Sequence, residues 1–373
     1  MSKYDIAAFI WPSYTGDEDR TRIFWPEGYG EWQTVKAMTD KGYDGCRWPR
    51  KPLWGYVNEA DNRVMEMQIQ CALDYGVNTF IYDWYWFDDR PFLENCLNDG
   101  FLKARNNREM KFFLMWANHD ANHLWDKRNS GDVNEVIWKG AVTPDIFSKI
   151  VDRTIEKYFK LDNYYMIDGC PVYMIFDIDN FIRTFGTTDK CREGIELFRK
   201  RTVEAGFKGL HLQFVHWNGR RFNWLPEGDE CREKTVEEVY DYLGADSVTN
   251  YNWGGSANLD GDYRELTDEY IKGIKGTSEK INIPFYPNIT VGWDNNLRFY
   301  KFIPGVVKNN TPEAFSEACK KVKDFADESL SKNNMKVPLI TVNSWNEWTE
   351  TSYLEPDDLY GYGYLEKIKE IFG

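Results

Sequence analysis

Two glutamates three positions apart, Glu347 and Glu350, stand in the unbroken run Asn343-Ser344-Trp345-Asn346-Glu347-Trp348-Thr349-Glu350. One helical turn over that spacing sets both carboxylates on the same face. Like charges held close push one pKa up and leave the other low, which yields a proton donor beside an acceptor. Glycoside hydrolysis needs such a pair. A solvated helix start with acids at its positive end has the same spacing. It has no need, however, of interleaved indoles and amides, whereas a sugar site uses Trp345 and Trp348 for stacking and Asn343 and Asn346 for hydroxyls. The expectation is an active site with Glu347 and Glu350 as its catalytic pair, closed by Tyr353, Leu354, Glu355, Pro356 and Asp357.

The pair must be carried by something rigid. Residues 337–342 form an apolar, β-branched strand that turns abruptly polar, as strands do at the C-terminal mouth of a β/α enzyme. Further strands are expected at 6–10, 77–82, 111–115, 171–176, 211–215, 247–249 and 285–291. Helices are expected at 63–75, 144–159, 190–205, 262–280, 312–330 and 363–372, with Gly76 ending the first and Thr-Pro caps opening those at 144 and 312. Eight strands alternating with helices predict an α/β fold, a (β/α)8 TIM barrel with long, aromatic-rich loops at its C-terminal rim. No linker or change in composition divides the chain, so residues 1–373 are read as one domain.

Nearly every strand ends in Trp, Tyr, Asn, Asp or His. These ends supply the candidate sugar contacts: Tyr82, Asp83 and Trp84; Trp116, Asn118 and His119; Asp177; His216 and Trp217; Tyr251 and Asn252; Trp293; and Asn343, Trp345, Asn346, Trp348 and Glu355 around the pair. Trp84, Trp116 and Trp345 are expected to line the sugar cleft. Two irregular stretches, one with Trp25, Glu27, Tyr29, Glu31 and Trp32 and one with Trp48, Pro49, Pro52, Trp54 and Tyr56, are long enough to be functional loops.

Composition narrows the partner. Aromatic residues make up 17% of the chain, with 16 Trp and 23 Tyr, more rings with polar handles than core packing demands. The net charge of −14 disfavours nucleic acid and anionic membranes and leaves a neutral glycan compatible. The seven cysteines are scattered, odd in number and form no C-x-x-C pair, so free thiols in a reducing compartment are expected. No apolar leader follows Met1, which as read predicts the cytoplasm; a trimmed leader would place the protein in the periplasm or outside. No metal and no cofactor are expected. His119 and His123 lack the His-Glu-x-x-His signature and read as loop hydrogen-bonders. Asp177-Ile178-Asp179 is the best metal motif for a transferase, if extended backbone points both carboxylates the same way. Nothing basic is expected at the strand ends to hold a diphosphate. Oligomeric state is not legible.

Several stretches together resemble the WbsX-type proteins, a glycosyltransferase-like group related to glycoside hydrolase family 99, over nearly the whole chain. They are Glu27-Gly28-Tyr29-Gly30-Glu31-Trp32, Tyr82-Asp83-Trp84-Tyr85-Trp86-Phe87, Trp116-Ala117-Asn118, Ile167-Asp168-Gly169-Cys170-Pro171-Val172, Trp345-Asn346-Glu347-Trp348 and Leu354-Glu355-Pro356-Asp357. The resemblance implies a metal-free, retaining enzyme cleaving α-linked glycans, mannosides among them. It implies Glu350 as general acid and then base. It implies Glu347 as the base on the sugar's own 2-hydroxyl, giving a 1,2-anhydro intermediate in place of the usual glycosyl-enzyme. Thr349 and Thr351 flank Glu350 where family 99 has His and Gly, so mannose specificity does not carry over with the pair. The alternatives are a glycosyltransferase of surface polysaccharide biosynthesis and a non-catalytic glycan-binding barrel, the second opposed by the intact pair.

Overall fold

The computed structural model describes residues 3–38, 50–131 and 134–373. Trp48, Pro49 and Cys46 lie outside the described residues. The architecture is a nearly closed parallel barrel with helices packed around it. Its strands are β1 (Asp5–Ile10), β2 (Thr79–Phe87), β3 (Lys111–Trp116), β4 (Cys170–Ile175), β5 (His211–Val215), β6 (Ser247–Thr249), β7 (Phe285–Tyr286), β8 (Asn288–Thr290) and β9 (Leu339–Asn343). Neighbours run β7-β6-β5-β4-β3-β2-β1-β9-β8, all parallel. The two ends of that order are consecutive in the chain, so the barrel is closed but for the break between them. The stretch 285–291, expected as one strand, is two because Pro287 has no N–H to give the ladder. Its carbonyl still accepts from Thr341 N at 3.0 Å, which keeps the two halves in line.

Because helices cover the outside and side chains fill the inside, both faces of each strand are buried. Inside, Thr249 and Thr341 hydroxyls meet at 3.1 Å and Asn288 donates to Thr341 at 3.0 Å, a polar layer across the barrel floor. Outside lie the expected helices α1 (Asn62–Asp74), α2 (Pro144–Thr154, continued by a π-turn to Phe159), α4 (Thr188–Glu204), α6 (Tyr263–Ser278), α7 (Pro312–Ser331) and α8 (Gly363–Phe372). The side chains of Asp61, Thr143, Thr187, Asp262 and Thr311 cap α1, α2, α4, α6 and α7 in turn.

Three helices escape the sequence reading, a short one at Trp32–Lys36 together with α3 (Ile178–Phe185) and α5 (Val236–Leu243). Asp177 is extended as expected (φ −116, ψ 107), but there the extended backbone ends, since it is the N-cap of α3 and accepts from Asn180 N at 2.9 Å. Asp177 and Asp179 therefore do not alternate along a strand. Arg220 nonetheless joins the two, at 2.7 Å to Asp179 and 3.5 Å to Asp177, and the Trp224 indole donates to Asp179 at 2.7 Å. Among the described residues, no helix is long and apolar enough to cross a membrane.

Candidate active site

Beyond β9 the chain folds into a miniature hairpin, Asn346–Glu347 against Ser352–Tyr353, joined by a 3-10 turn over Trp348–Glu350. In a 3-10 turn positions i and i+3 eclipse, so Glu347 and Glu350 project side by side. Thr351 closes the hairpin in the left-handed region (φ 55). The Ser344 hydroxyl braces it, accepting from Glu347 N at 2.8 Å and donating to Ser352 O at 2.6 Å.

Both carboxylates point into a cavity of about 190 Å³ at the C-terminal end of the barrel. Its polar wall is Asp83, His119, Tyr251, Arg298, Glu347 and Glu350, and its rings are Trp11, Tyr85, Trp125 and Phe176, with Met115, Ala117 and Leu124. A larger cavity of about 540 Å³ lies at the opposite end, among Asp5, Asn78 and Lys111, and holds no paired acids facing rings. Chemistry, not size, selects the site.

The centre of the cavity is a buried guanidinium. Arg298 donates from Nη1 to Glu350 at 2.8 Å, from Nη2 to Glu347 at 2.9 Å and from Nε to Glu31 at 3.3 Å. Glu31 also accepts from the Trp11 indole. Gly30 makes that approach possible: its φ is 59, and a Cβ there would sit 1.8 Å from the Ser13 carbonyl oxygen. On the other side, the Tyr251 hydroxyl reaches Asp83 at 3.2 Å and Glu347 at 3.5 Å, and Thr349 donates to Glu347 at 3.1 Å.

Three carboxyl groups therefore share one positive charge, and Asp83 stands beside them on the Tyr251 hydroxyl. Burial pushes the Glu347 carboxyl well above the usual range, with Glu350 adding to the shift and Arg298 opposing it. Burial also raises Glu350, again against Arg298. Asp83 is held well up by burial, with Glu350 adding and Tyr251 opposing. For Arg298 burial works against the charge, and Glu31, Glu347 and Glu350 outweigh it. Burial lowers the pKa of His119, which contacts the Asp120 carbonyl and the Tyr85 hydroxyl. The two glutamates differ in access. The side chain of Glu350 is 12% exposed and that of Glu347 3%, and Glu350 Oε2 has no partner while Glu347 is held from three sides. The pair can hold one proton between an open and a deep position.

Of the sequence-predicted residues, the structure brings Asp83, His119, Tyr251, Glu347 and Glu350 to this cavity. Asn343 is buried on β9, two positions beyond inward-facing Thr341, with both amide atoms unpaired. The others serve elsewhere. Tyr82 packs outside the barrel on Phe101 and Phe112. Asn118 clamps the Asp177 backbone through both amide atoms, at 2.7 and 2.8 Å. His216 is buried against Tyr240 and Phe285 with its pKa lowered to about 4 by burial. Trp217 backs Phe176, donating to its carbonyl at 3.2 Å. Asn252 caps a short turn at Gly254 N, and Trp293 packs against the core.

Asn346 grips the end of β1 through both backbone groups of Trp11, at 2.8 and 2.9 Å, and donates to Glu59 at 3.0 Å. Trp348 stacks on Tyr353 and donates to Glu355 at 2.6 Å, while Gln68 joins Glu355 to Glu59 and Trp345. This network behind the pair fixes the hairpin and does not line the cavity.

Trp84, Trp116 and Trp345, expected in the cleft, lie on the outward faces of the barrel instead. Trp84 donates to Glu94 at 2.8 Å, Trp116 packs on Phe147 and Phe181, and Trp345 on Phe80 and Trp54. Each is at most 2% exposed. Alanine at any of them is expected to cost about 3–5 kcal/mol, read as a large fall in melting temperature with no selective loss of glycan affinity. An unchanged melt with weakened binding would restore the cleft assignment. Residues missed from sequence are Trp11, Tyr85, Trp125, Phe176 and above all Arg298. Tyr85 was reachable, since it shares the strand face of Asp83 two positions on. Arg298 overturns the expectation that nothing basic stands at the strand ends.

A model of the family described as Glycosyltransferase WbsX matches residues 6–368. The chain belongs to the WbsX family. It is 22% identical over 375 residues to "Uncharacterized protein WxcX" of Xanthomonas campestris pv. campestris strain B100, covering 98% of this chain and 49% of that protein. The chain thus spans about half the length of the curated relatives it matches. Among solved structures, a "Glycoside hydrolase-like protein" superposes with TM-score 0.60 at 15% identity, covering 100% of this chain and 94% of that one. The GH99 endo-alpha-mannosidase from Bacteroides thetaiotaomicron superposes with TM-score 0.57 at 12% identity, covering 98% and 95%. At those identities the likeness is one of fold, and this WbsX-family chain shares the barrel of a glycan-cleaving enzyme.

Proposed function

We propose that this WbsX-family protein is a retaining glycoside hydrolase that cleaves α-linked bonds, mannosidic ones among the candidates, in a polysaccharide or branched glycan. The observation that carries this reading is the buried Glu347–Glu350 pair held on two nitrogens of one guanidinium at the mouth of the barrel. Glu350, with its free oxygen and its opening to the cavity, delivers the proton to the leaving oxygen and afterwards takes one from water. Glu347, deeper and steadied by Tyr251 and Thr349, takes the proton of the sugar's 2-hydroxyl as that oxygen closes on C1 and the glycosidic bond breaks, and returns it to O2 when water opens the 1,2-anhydro ring. The four aromatic side chains supply stacking surface, and Asp83 supplies a partner for a sugar hydroxyl.

The name of the family favours a second reading, transfer from a nucleotide sugar. A diphosphate needs cations or a basic cradle. Here the buried guanidinium is engaged by three carboxylates, and Asp179 is engaged by Arg220 and Trp224. The expected result is release of a reducing sugar whose anomeric configuration, followed by NMR, is retained, at a rate unchanged by EDTA. Activity that vanishes with EDTA and returns with Mn²⁺, or tight binding of a nucleotide sugar, points to the transferase.

A further inference from the structure

We propose that Glu59 and Glu355 are positioning residues for the catalytic pair, two buried carboxyl groups that hold one proton between them and, through it, the chain on either side of Glu347. This rests on the hydrolase reading of the cavity. It adds the support on which Glu347 depends and the condition under which that support fails.

Glu347 lines the cavity, whereas its two neighbours do not, and each of them ends on a carboxyl group behind it. Asn346 donates to both oxygens of Glu59 at 3.0 Å, and the Trp348 indole donates to Glu355 at 2.6 Å. Gln68, in the middle of α1, ties the two acids together. Its amide nitrogen donates to Glu355 at 2.9 Å and to Glu59 at 3.2 Å, and its oxygen takes the Trp345 indole at 3.0 Å. Trp345, Asn346 and Trp348 therefore all hang from one cluster. The backbone of Glu59 is seated as well. Its N–H donates to the Tyr14 carbonyl at 2.9 Å, and a Cβ on Gly100 would lie 2.0 Å from its carbonyl oxygen. A shift in this cluster is passed directly to Glu347.

Charge supplies the need for a proton. Glu59 is fully buried and Glu355 is 3% exposed. Asn346, Gln68, Trp348 and the Cys96 thiol, at 3.7 Å from Glu59, are all neutral donors. Two negative charges out of water on neutral partners are strongly disfavoured, and one shared proton removes the conflict. Burial pushes the Glu59 carboxyl up to about 7. Burial also holds Glu355 well above the usual range, with Glu59 adding and Trp348 opposing. The titratable groups facing the two acids bring no positive charge. They are Tyr14 from the loop after β1, Tyr82 from β2, Cys71 from α1 and Cys96 from the π-turn Cys96–Phe101, each raised by burial. Charged groups stand one layer out: Glu18 beside Cys96, Arg50 beside Tyr353, and Glu347 with Arg298 beside Tyr14. Loss of the shared proton sets the two acids against each other across Gln68 and disturbs both holds on the hairpin. A misplacement of about 1 Å at a reacting group is enough to cost about 10²-fold in rate.

The test compares wild type with Glu59→Gln and Glu355→Gln, which keep the side-chain shape and remove one ionisation each, from about pH 5 to about pH 9. One arm follows the indole N–H resonance of Trp348 by NMR, assigned by its loss in Trp348→Phe. In wild type it should titrate as the two acids lose their proton. In either Gln variant the remaining acid has no like charge beside it, so the titration should move down by at least about one pH unit. The other arm measures kcat/KM on a glycan that wild type cleaves. Wild type should lose activity at high pH through two ionisations, of the catalytic acid and of the Glu59–Glu355 cluster, and each variant through one. The fall from about pH 6 to about pH 9 should then be about tenfold smaller in the variants. A merely structural role lowers activity by the same factor at every pH. A Trp348 resonance that ignores pH in wild type, or titrates alike in the variants, overturns the shared proton. Parallel pH profiles overturn the positioning role and leave the hydrolase reading standing. The expected titration in a protein that cleaves no glycan leaves the shared proton and its hold on the hairpin standing and removes the hydrolase reading. The wild-type titration needs no folded Gln variant.

Discussion

Glu350→Gln should remove turnover of a natural glycan by about 10²–10⁴-fold while leaving glycan binding largely intact. Gln keeps the shape and one acceptor for the Arg298 contact at 2.8 Å, but it cannot deliver a proton to the leaving oxygen. The leaving group then decides the size of the defect. A phenolate or fluoride departs with little protonation, so an activated glycoside should be partly spared, and the ratio of the two rates should rise as leaving-group pKa falls. A Glu350→Gln protein as fast as wild type on the natural glycan would remove Glu350 from the role of acid. Equal losses on every leaving group would point to positioning instead.

Arg298→Met should be the second large effect, and it should show in the pH profile. The guanidinium opposes the upward push of burial on both Glu347 and Glu350. Without it both pKa values rise further, so the acid limb and the alkaline limb of kcat/KM both move to higher pH. The maximum also falls, because nothing fixes the two carboxyl groups side by side. Stability follows the same sign. A carboxyl whose folded pKa lies above its unfolded value contributes stability that is full below the unfolded value and is lost as pH rises through the folded one. The variant's melting temperature should therefore fall below that of wild type by more at pH 8 than at pH 5, consistent with the about 3–5 kcal/mol typical of breaking a buried ion pair. Arg298→Lys should return the limbs part of the way, since it restores a charge without the fork that reaches three acids. Limbs that stay in place in Arg298→Met would show that the pair is tuned by something else.

The sequence by itself determined the parts that are local. The strand before Glu347 and Glu350, the three-residue spacing that lets one turn present both acids, and the caps Thr143-Pro144 and Thr311-Pro312 all depend on neighbours a few positions away. Alternation of such elements then dictates a barrel. Tertiary structure decided two further things. One is the phase of each strand. A period of two says that Tyr82 and Trp84 share a face opposite to Asp83 and Tyr85, and only closure of the barrel says which face is inside. For that reason Trp84 packs under Glu94 and Tyr85 takes the cavity. The other is convergence of distant chain. Glu31, in the loop after β1, and Arg298, in the loop after β8, meet Glu347 and Glu350 from segments that no periodicity links to them. A loop residue carries no pattern showing where its side chain will end. A guanidinium becomes the centre of this site only because folding withdraws it from water into the company of acids that need its charge.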